Sequence, residues 1–196
     1  VEKTLEMHLQ YPNFRGIRHI LNYDKNNKEI SHAKFDYLKE DLWLKNFSLL
    51  EKYNLSFDMH LWWTQYSYAF DLIKSHPNIL NIINHAGTPR KRDEEYLSNW
   101  RNGLKTLAQA PNTVIKISGL GMFDQQWTTD SIKPLVLDCI EIFGINRCFF
   151  STNFPVDKKY SSYEKVWNSY FDITKDFSID EKEKLFFKNA EKYYRI

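Results

Sequence analysis

The sequence predicts an α/β fold built on a parallel sheet, and three observations carry that expectation. Short apolar runs alternate with longer stretches whose apolar residues recur at helical spacing. The runs are rich in Ile, Val and Phe and are too short to be helices. Helix-stopping residues, among them Pro77, Pro111 and Gly144, separate the two kinds of segment. Strands that alternate with helices are joined by crossovers and therefore run parallel.

The elements follow in order. The opening TLEMHLQYP reads as the end of a helix whose beginning is absent. FRGIRHIL, Phe14 to Leu21, is the first strand. LWLKNFSLLEKYN, Leu42 to Asn54, is a helix with Leu42, Leu49 and Leu50 on one side. LSFDMHLW, Leu55 to Trp62, is the second strand, and YAFDLIKSH, Tyr68 to His76, is a short helix stopped by Pro77. ILNIIN, Ile79 to Asn84, is the third strand. EEYLSNWRNGLKTLAQ, Glu94 to Gln109, is a helix closed by Pro111. TVIKIS, Thr113 to Ser118, is the fourth strand. SIKPLVLDCIEIF, Ser131 to Phe143, is a helix ending at Gly144. RCFFS, Arg147 to Ser151, is the fifth strand, and SSYEKVWNSYFDIT, Ser161 to Thr174, the helix after it. The last helix opens on Ser178-Ile179-Asp180-Glu181, a capping box, and runs to Tyr194. Nothing resembling a linker or a repeat divides the chain, so residues 1–196 read as one domain.

Composition excludes several classes. The 196 residues are 42% hydrophobic and 27% charged, an ordinary globular balance that needs no disulfide or metal staples. With 27 basic and 25 acidic residues, and no basic stripe, nucleic acid is not expected as a partner. Cys139 and Cys148 lie in apolar surroundings and read as two buried thiols in a reducing compartment. No apolar run approaches the about 20 residues that span a bilayer, and no signal-peptide pattern is present. A cytoplasmic location without a membrane partner is therefore expected. Aromatics make up 16% of the chain, a content that suits a pocket for a small organic substrate.

In a parallel α/β sheet ligands bind at the C-terminal ends of the strands. There the sequence places Arg18 and His19 on the first strand, His60 with Trp62 and Trp63 on the second, and His85 with Gly87, Pro89 and Arg90 after the third. Lys116 and Ser118 end the fourth strand. Asn153, Pro155 and Asp157 follow the fifth. His85 stands out because His-x-Gly directly at a strand end aims an imidazole into the mouth. His8, His32 and His76 read as surface residues. Lys116 either projects into the mouth or snorkels from a strand face. Converging imidazoles and carboxylates suit hydrolysis, with histidine as base or, given partners, as metal ligand. Catalytic zinc wants about three protein ligands, and no H-x-H pair occurs here.

Taken together, FRGIRHIL, LSFDMHLW, NIINHAGTP, VIKISGLG and RCFFSTNFPVD resemble amidohydrolase-related family 2 of the TIM-barrel hydrolases, nearest its sugar-lactone and dicarboxylate lactonase branch. The resemblance runs from Tyr11 to Ile196. It implies a distorted (β/α)₈ barrel whose fourth to eighth strands are the five found here, the first three lying upstream of Val1. A start without Met, inside a helix-like segment, and a length short of the about 250 residues typical of this barrel agree with an N-terminally truncated chain. By the same resemblance His85 is the histidine after the sixth strand, which contacts metal or substrate. Arg18 belongs to the G-[VI]-R motif and Ser118-Gly119-Leu120 to that of the seventh strand. Where many members carry S-D-W-P, this chain has Asn153, an amide that cannot be a general base. Asp157 substitutes for the missing carboxylate only if its loop folds back.

The resemblance thus implies a hydrolase of a lactone or related small ester, of a sugar acid or dicarboxylate, inactive as this fragment. The catalytic residues would be His85, Asn153 and Asp157, and the substrate-binding ones Arg18, His60, Trp62 and Arg90. One divalent metal, zinc or manganese, would sit at His85, or the reaction would be metal-independent. Three alternatives stand beside it. A decarboxylase of the same barrel family needs a metal and an Asp, which Asn153 disfavours. A silent partial barrel would bind partners or form homo-oligomers through open sheet edges. A flavodoxin-like sheet needs a phosphate-cradling Gly-rich loop after its first strand, and Leu21-Asn22-Tyr23-Asp24-Lys25 is not one.

Overall fold

A computed structural model describes residues 1–196. Five strands alternate with helices as expected: β1 (Gly16–Ile20), β2 (Ser56–His60), β3 (Asn81–Ile83), β4 (Thr113–Ile117) and β5 (Cys148–Phe150). The main helices are α1 (Glu2–Leu9), α2 (Asp41–Phe47), α3 (Leu49–Lys52), α4 (Tyr66–Ser75), α5 (Glu94–Ala108), α6 (Thr129–Phe143), α7 (Tyr163–Ile173), α8 (Ile179–Glu183) and α9 (Asn189–Tyr194). All neighbouring strands are parallel, and they lie in the sheet in chain order, β1-β2-β3-β4-β5. A doubly wound sheet reverses its strand order at a switch point. This one never does, so the flavodoxin-like alternative falls, and the strands form one arc with β1 and β5 as edges.

Alternation along the strands gives the arc two faces. Phe57, Met59, Ile83, Ile115, Ile117, Cys148 and Phe150 point outward into the main core, where the helices cover them. Ile82, Val114 and Phe149 point inward and are covered from below by Ala190, Tyr193 and Tyr194 of the C-terminal helix. Cys139 and Cys148 are both buried and free. No helix is long and apolar enough to cross a membrane.

Three elements differ from the sequence reading, each for a local reason. The helix expected over Leu42 to Asn54 breaks at Ser48, whose hydroxyl donates back to the Lys45 carbonyl at 2.8 Å. Leu42 consequently stays 72% exposed while Leu50 is buried. Helix α6 begins at Thr129, ahead of Ser131, because Thr128 and Ser131 form a reciprocal cap. The last helix does open on the Ser178–Glu181 capping box, but it widens into a π-helical turn over Lys184–Lys188 before α9. Asn189 then anchors α9 by donating to the carbonyls of Ile145 and Cys148 at 2.8 and 2.7 Å.

Candidate active site

The chain from Asn81 to Pro89 is buried without a break. β3 occupies its first part, and the chain then turns through four residues with positive φ: His85 (55°), Ala86 (52°), Gly87 (64°) and Thr88 (57°). Non-glycine residues pay for that conformation, and it persists only where surroundings fix it. Here α5 supplies the fixation, since Trp100 Nε1 donates to the Ala86 carbonyl at 2.9 Å. From α4 the Tyr66 hydroxyl donates to the Gly87 carbonyl. The turn swings the His85 ring over the ends of the neighbouring strands.

Both ring nitrogens of His85 are engaged. Arg18 Nη2 lies 2.9 Å from Nε2, and Ser118 Oγ lies 3.0 Å from Nδ1. A guanidinium has no acceptor, so Nε2 must accept from Arg18, and Nδ1 therefore carries the proton and donates to Ser118. Burial, joined by the charges of His60, Arg18 and Lys116, holds His85 far below the usual imidazole range. It is an uncharged, oriented imidazole. His60 meets it edge-on with ring centroids 4.8 Å apart. Both nitrogens of His60 are buried without a hydrogen-bond partner, as are both amide atoms of Asn84. Burial, then Arg18, lowers His60 to about 3.

Asn153 and Asp157 arrive from β5. A short turn over Val156–Lys159 folds the loop back, Asp157 is buried, and Asn153 Nδ2 donates to Asp157 Oδ1 at 2.8 Å. The turn thus sets the Asp157 carboxylate against the Asn153 side chain. Burial raises the Asp157 carboxyl, and the Asn153 bond opposes the rise. Gly119 (φ 64°) lets Asn153 approach His85: a Cβ there would stand 2.9 Å from His85 Nδ1 and 3.2 Å from Asn153 Nδ2. Only a residue without a side chain lets the imidazole and the amide approach one point. At the rim Arg90 lies over the Trp62 ring at 5.8 Å, with Phe123 edge-on to the same ring at 6.0 Å.

The structure thus brings His85, His60, Arg18 and Asn153–Asp157 to one end of the sheet, with Trp62 and Arg90 at its rim. It sends other candidates elsewhere. His19 faces the helices, where Trp43 Nε1 donates to its Nδ1 at 3.1 Å. His76 is half-buried against Phe47 rather than on the surface. His32 is exposed, as expected, but its ring sits 6.4 Å from that of Trp62. Lys116 does not snorkel outward: it pairs with Asp58 inside the arc at 2.8 Å. Ser118, expected at the end of its strand, bonds His85 there, whereas Asp58 and Tyr194 join the site without being expected in it. Asp58 had a readable signal, because it shares the face of His60 at strand period two. Tyr194, 136 residues from the Asp58 it bonds, had none.

The residues present do not make up a metal centre. No three His, Cys, Asp or Glu side chains are grouped to hold an ion. Both nitrogens of His85 are already committed, one of them to a guanidinium. The donor set falls short of the about three ligands of catalytic zinc.

Comparison with known proteins places this geometry. The whole chain is 39% identical over 196 residues to the uncharacterised protein y4mH of Sinorhizobium fredii and covers 66% of it, about two-thirds of that relative's length. A 96-residue stretch, 43% of this chain, is 30% identical to L-fucono-1,5-lactonase of Burkholderia multivorans and covers 32% of that protein. Crystal structures of an amidohydrolase from Burkholderia multivorans, one with HEPES and one with zinc bound, superpose with TM-scores of 0.85 at 21% and 20% identity. They cover all of this chain and 70% of theirs, so the five-stranded arc is part of a TIM-barrel fold. A 2,6-dihydroxybenzoate decarboxylase from Rhizobium shares the fold more distantly, with a TM-score of 0.63 at 13% identity over 98% of this chain and 66% of its own. The model of the amidohydrolase family Amidohydro_2 matches residues 1–196, and the chain belongs to that family.

Proposed function

We propose that this chain carries the histidine side of a hydrolase that opens a lactone or related small ester of a sugar acid or dicarboxylate. The observation that carries the reading is the uncharged His85 imidazole, locked between Arg18 and Ser118 at the C-terminal strand ends with His60 edge-on to it. A lactone carbonyl gains negative charge on oxygen as water attacks. A guanidinium already aimed by His85 stabilises that charge without reorganising. The Asn153–Asp157 pair orients the water and takes its proton, since a buried carboxylate of raised pKa is a better base than an exposed one. The new C–O bond forms from water, the ring C–O bond breaks, and the leaving alkoxide takes up the proton. Trp62 offers an apolar wall, and Arg90 stacked on it offers bidentate contacts to a substrate carboxylate. The 30% identity to an L-fucono-1,5-lactonase supports the ester over other hydrolysable bonds.

The test is a lactone panel run with the natural-length polypeptide that contains this chain. The panel holds L-fucono-1,5-lactone, other aldonolactones and dicarboxylate lactones, and acid release is followed with and without added zinc or manganese. Turnover of one lactone class is the expected result. No acid release under any condition, or release of carbon dioxide from an aromatic acid instead, overturns the reading.

A further inference from the structure

Arg18 and Asp58 are direct partners in the parallel register of β1 and β2, and both face the inside of the arc. Opposite charges so placed would pair by default. They do not. Arg18 donates to His85 Nε2, 67 residues along the chain. Asp58 is engaged elsewhere: its Oδ1 accepts from Lys116 Nζ at 2.8 Å and from the Tyr194 hydroxyl at 3.0 Å, and the Lys116 ammonium balances the charge that would otherwise draw Arg18. Lys116 also donates to the Tyr194 oxygen at 2.8 Å, which closes the triangle. Burial, then Asp58, raises the Tyr194 phenol, so it stays a donor at neutral pH.

We propose that Lys116 and Tyr194 are positioning residues of the active site: by occupying Asp58 they leave the Arg18 guanidinium to His85, and so fix the imidazole as its Nδ1–H tautomer. They act from below. Helix α9 crosses the N-terminal ends of the strands, where Arg195 donates to the carbonyls of Asn54 and Arg15 at 2.8 and 2.6 Å. Its last turn lifts Tyr194 into the arc beside Phe149. The C-terminal helix is therefore the floor of the site, and through Asp58 its Tyr194 bears on the charge partner of Arg18. The inference goes beyond the lactone reading and does not depend on it.

Nitrogen NMR of the histidine rings at neutral pH tests it on the full chain. The unaltered protein is expected to show His85 with Nδ1 protonated and Nε2 unprotonated and hydrogen-bonded. In Lys116→Met, Asp58 recruits Arg18, the His85 nitrogens shift toward the other tautomer or a mixture, and a crystal structure shows the guanidinium against Asp58. Tyr194→Phe keeps the ring that packs on Phe149 and shifts the same signals in the same direction by less. Tyr193→Phe, which removes a hydroxyl bonded to the Asn146 carbonyl on the same helix, leaves them unchanged. A His85 pattern identical to that of the unaltered protein in folded Tyr194→Phe and Lys116→Met overturns the proposal. If Lys116→Met does not fold, Tyr194→Phe decides alone. A failure of the lactone assay leaves the His85 signals where they are, so the two readings fail separately.

Discussion

His85 illustrates how much one side chain owes to its neighbours. An imidazole alone in water is half-charged near pH 6.5. Here burial, with His60, Arg18 and Lys116 nearby, keeps it neutral, and the Arg18 guanidinium on one nitrogen and the Ser118 hydroxyl on the other orient it. His85→Asn removes the ring that aims Arg18. It is expected to lower kcat/KM for the lactone by about 100-fold or more, read in the same acid-release assay. Unchanged turnover would assign the ring a packing role. Gly119 contributes by having no side chain. In Gly119→Ala the new methyl meets His85 Nδ1, Asn153 Nδ2 and Met122 Cε, the last at 2.8 Å, in a backbone conformation that alanine adopts poorly. A loss of about 1–3 kcal/mol is expected, visible as a lower Tm, together with a change in the His85 ring signals. A wild-type Tm would show that the loop absorbs the methyl.

At the scale of elements, strand, turn and helix share the work. β3 delivers the chain to the mouth, and the left-handed turn after it aims the ring. The turn is held because Trp100 of α5 reaches the Ala86 carbonyl. Trp100→Phe keeps most of the volume and strands that carbonyl, at an expected cost of about 1–3 kcal/mol, and it disturbs His85. Asp93→Ala removes the cap at the start of the same helix, where Asp93 accepts from the Tyr96 N–H. It is expected to cost about 1 kcal/mol without changing the site. Denaturant midpoints combined with the His85 ring signals separate the two. Equal disturbance of His85 in both variants would show that the helix acts only through overall stability. The element boundaries teach a related lesson. Periodicity located every strand and main helix, but it missed the break at Ser48 and the early start at Thr129, because those depend on single side chains bonding to backbone.

For the whole molecule, the buried histidines set the response to pH. Unfolded, both would titrate near 6.5. Folded, His60 is lowered to about 3 by burial and His85 is lowered further. The unfolded chain therefore binds more protons than the folded one once the pH drops below 6.5. The stability these groups contribute is fully present above that pH and is lost as pH falls toward 3. Each histidine is expected to cost about 1.4 kcal/mol per pH unit in that window. Urea midpoints at pH 7, 6 and 5 check it, and a midpoint that does not move from 7 to 5 would show that the rings are solvated. Asp157, with its carboxyl raised by burial, has the opposite sign: it favours the folded state as it takes up its proton.

Much of this molecule was legible in the chain itself. The alternation of apolar runs with amphipathic stretches determined the α/β class. The strand ends determined where His60, His85 and Asn153 would lie, because side-chain period and crossover geometry are local consequences of sequence. The family motifs carried the fold to a barrel, and the match over residues 1–196 bears that out. What only the tertiary structure decided was partnership. Arg18 faces Asp58 across one strand pair yet bonds His85, Asp157 folds back onto Asn153, and Tyr194 closes the floor from the far end of the chain. Charges and hydrogen-bond donors choose among whatever partners the fold brings within about 3 Å, and distance along the chain carries no trace of that choice.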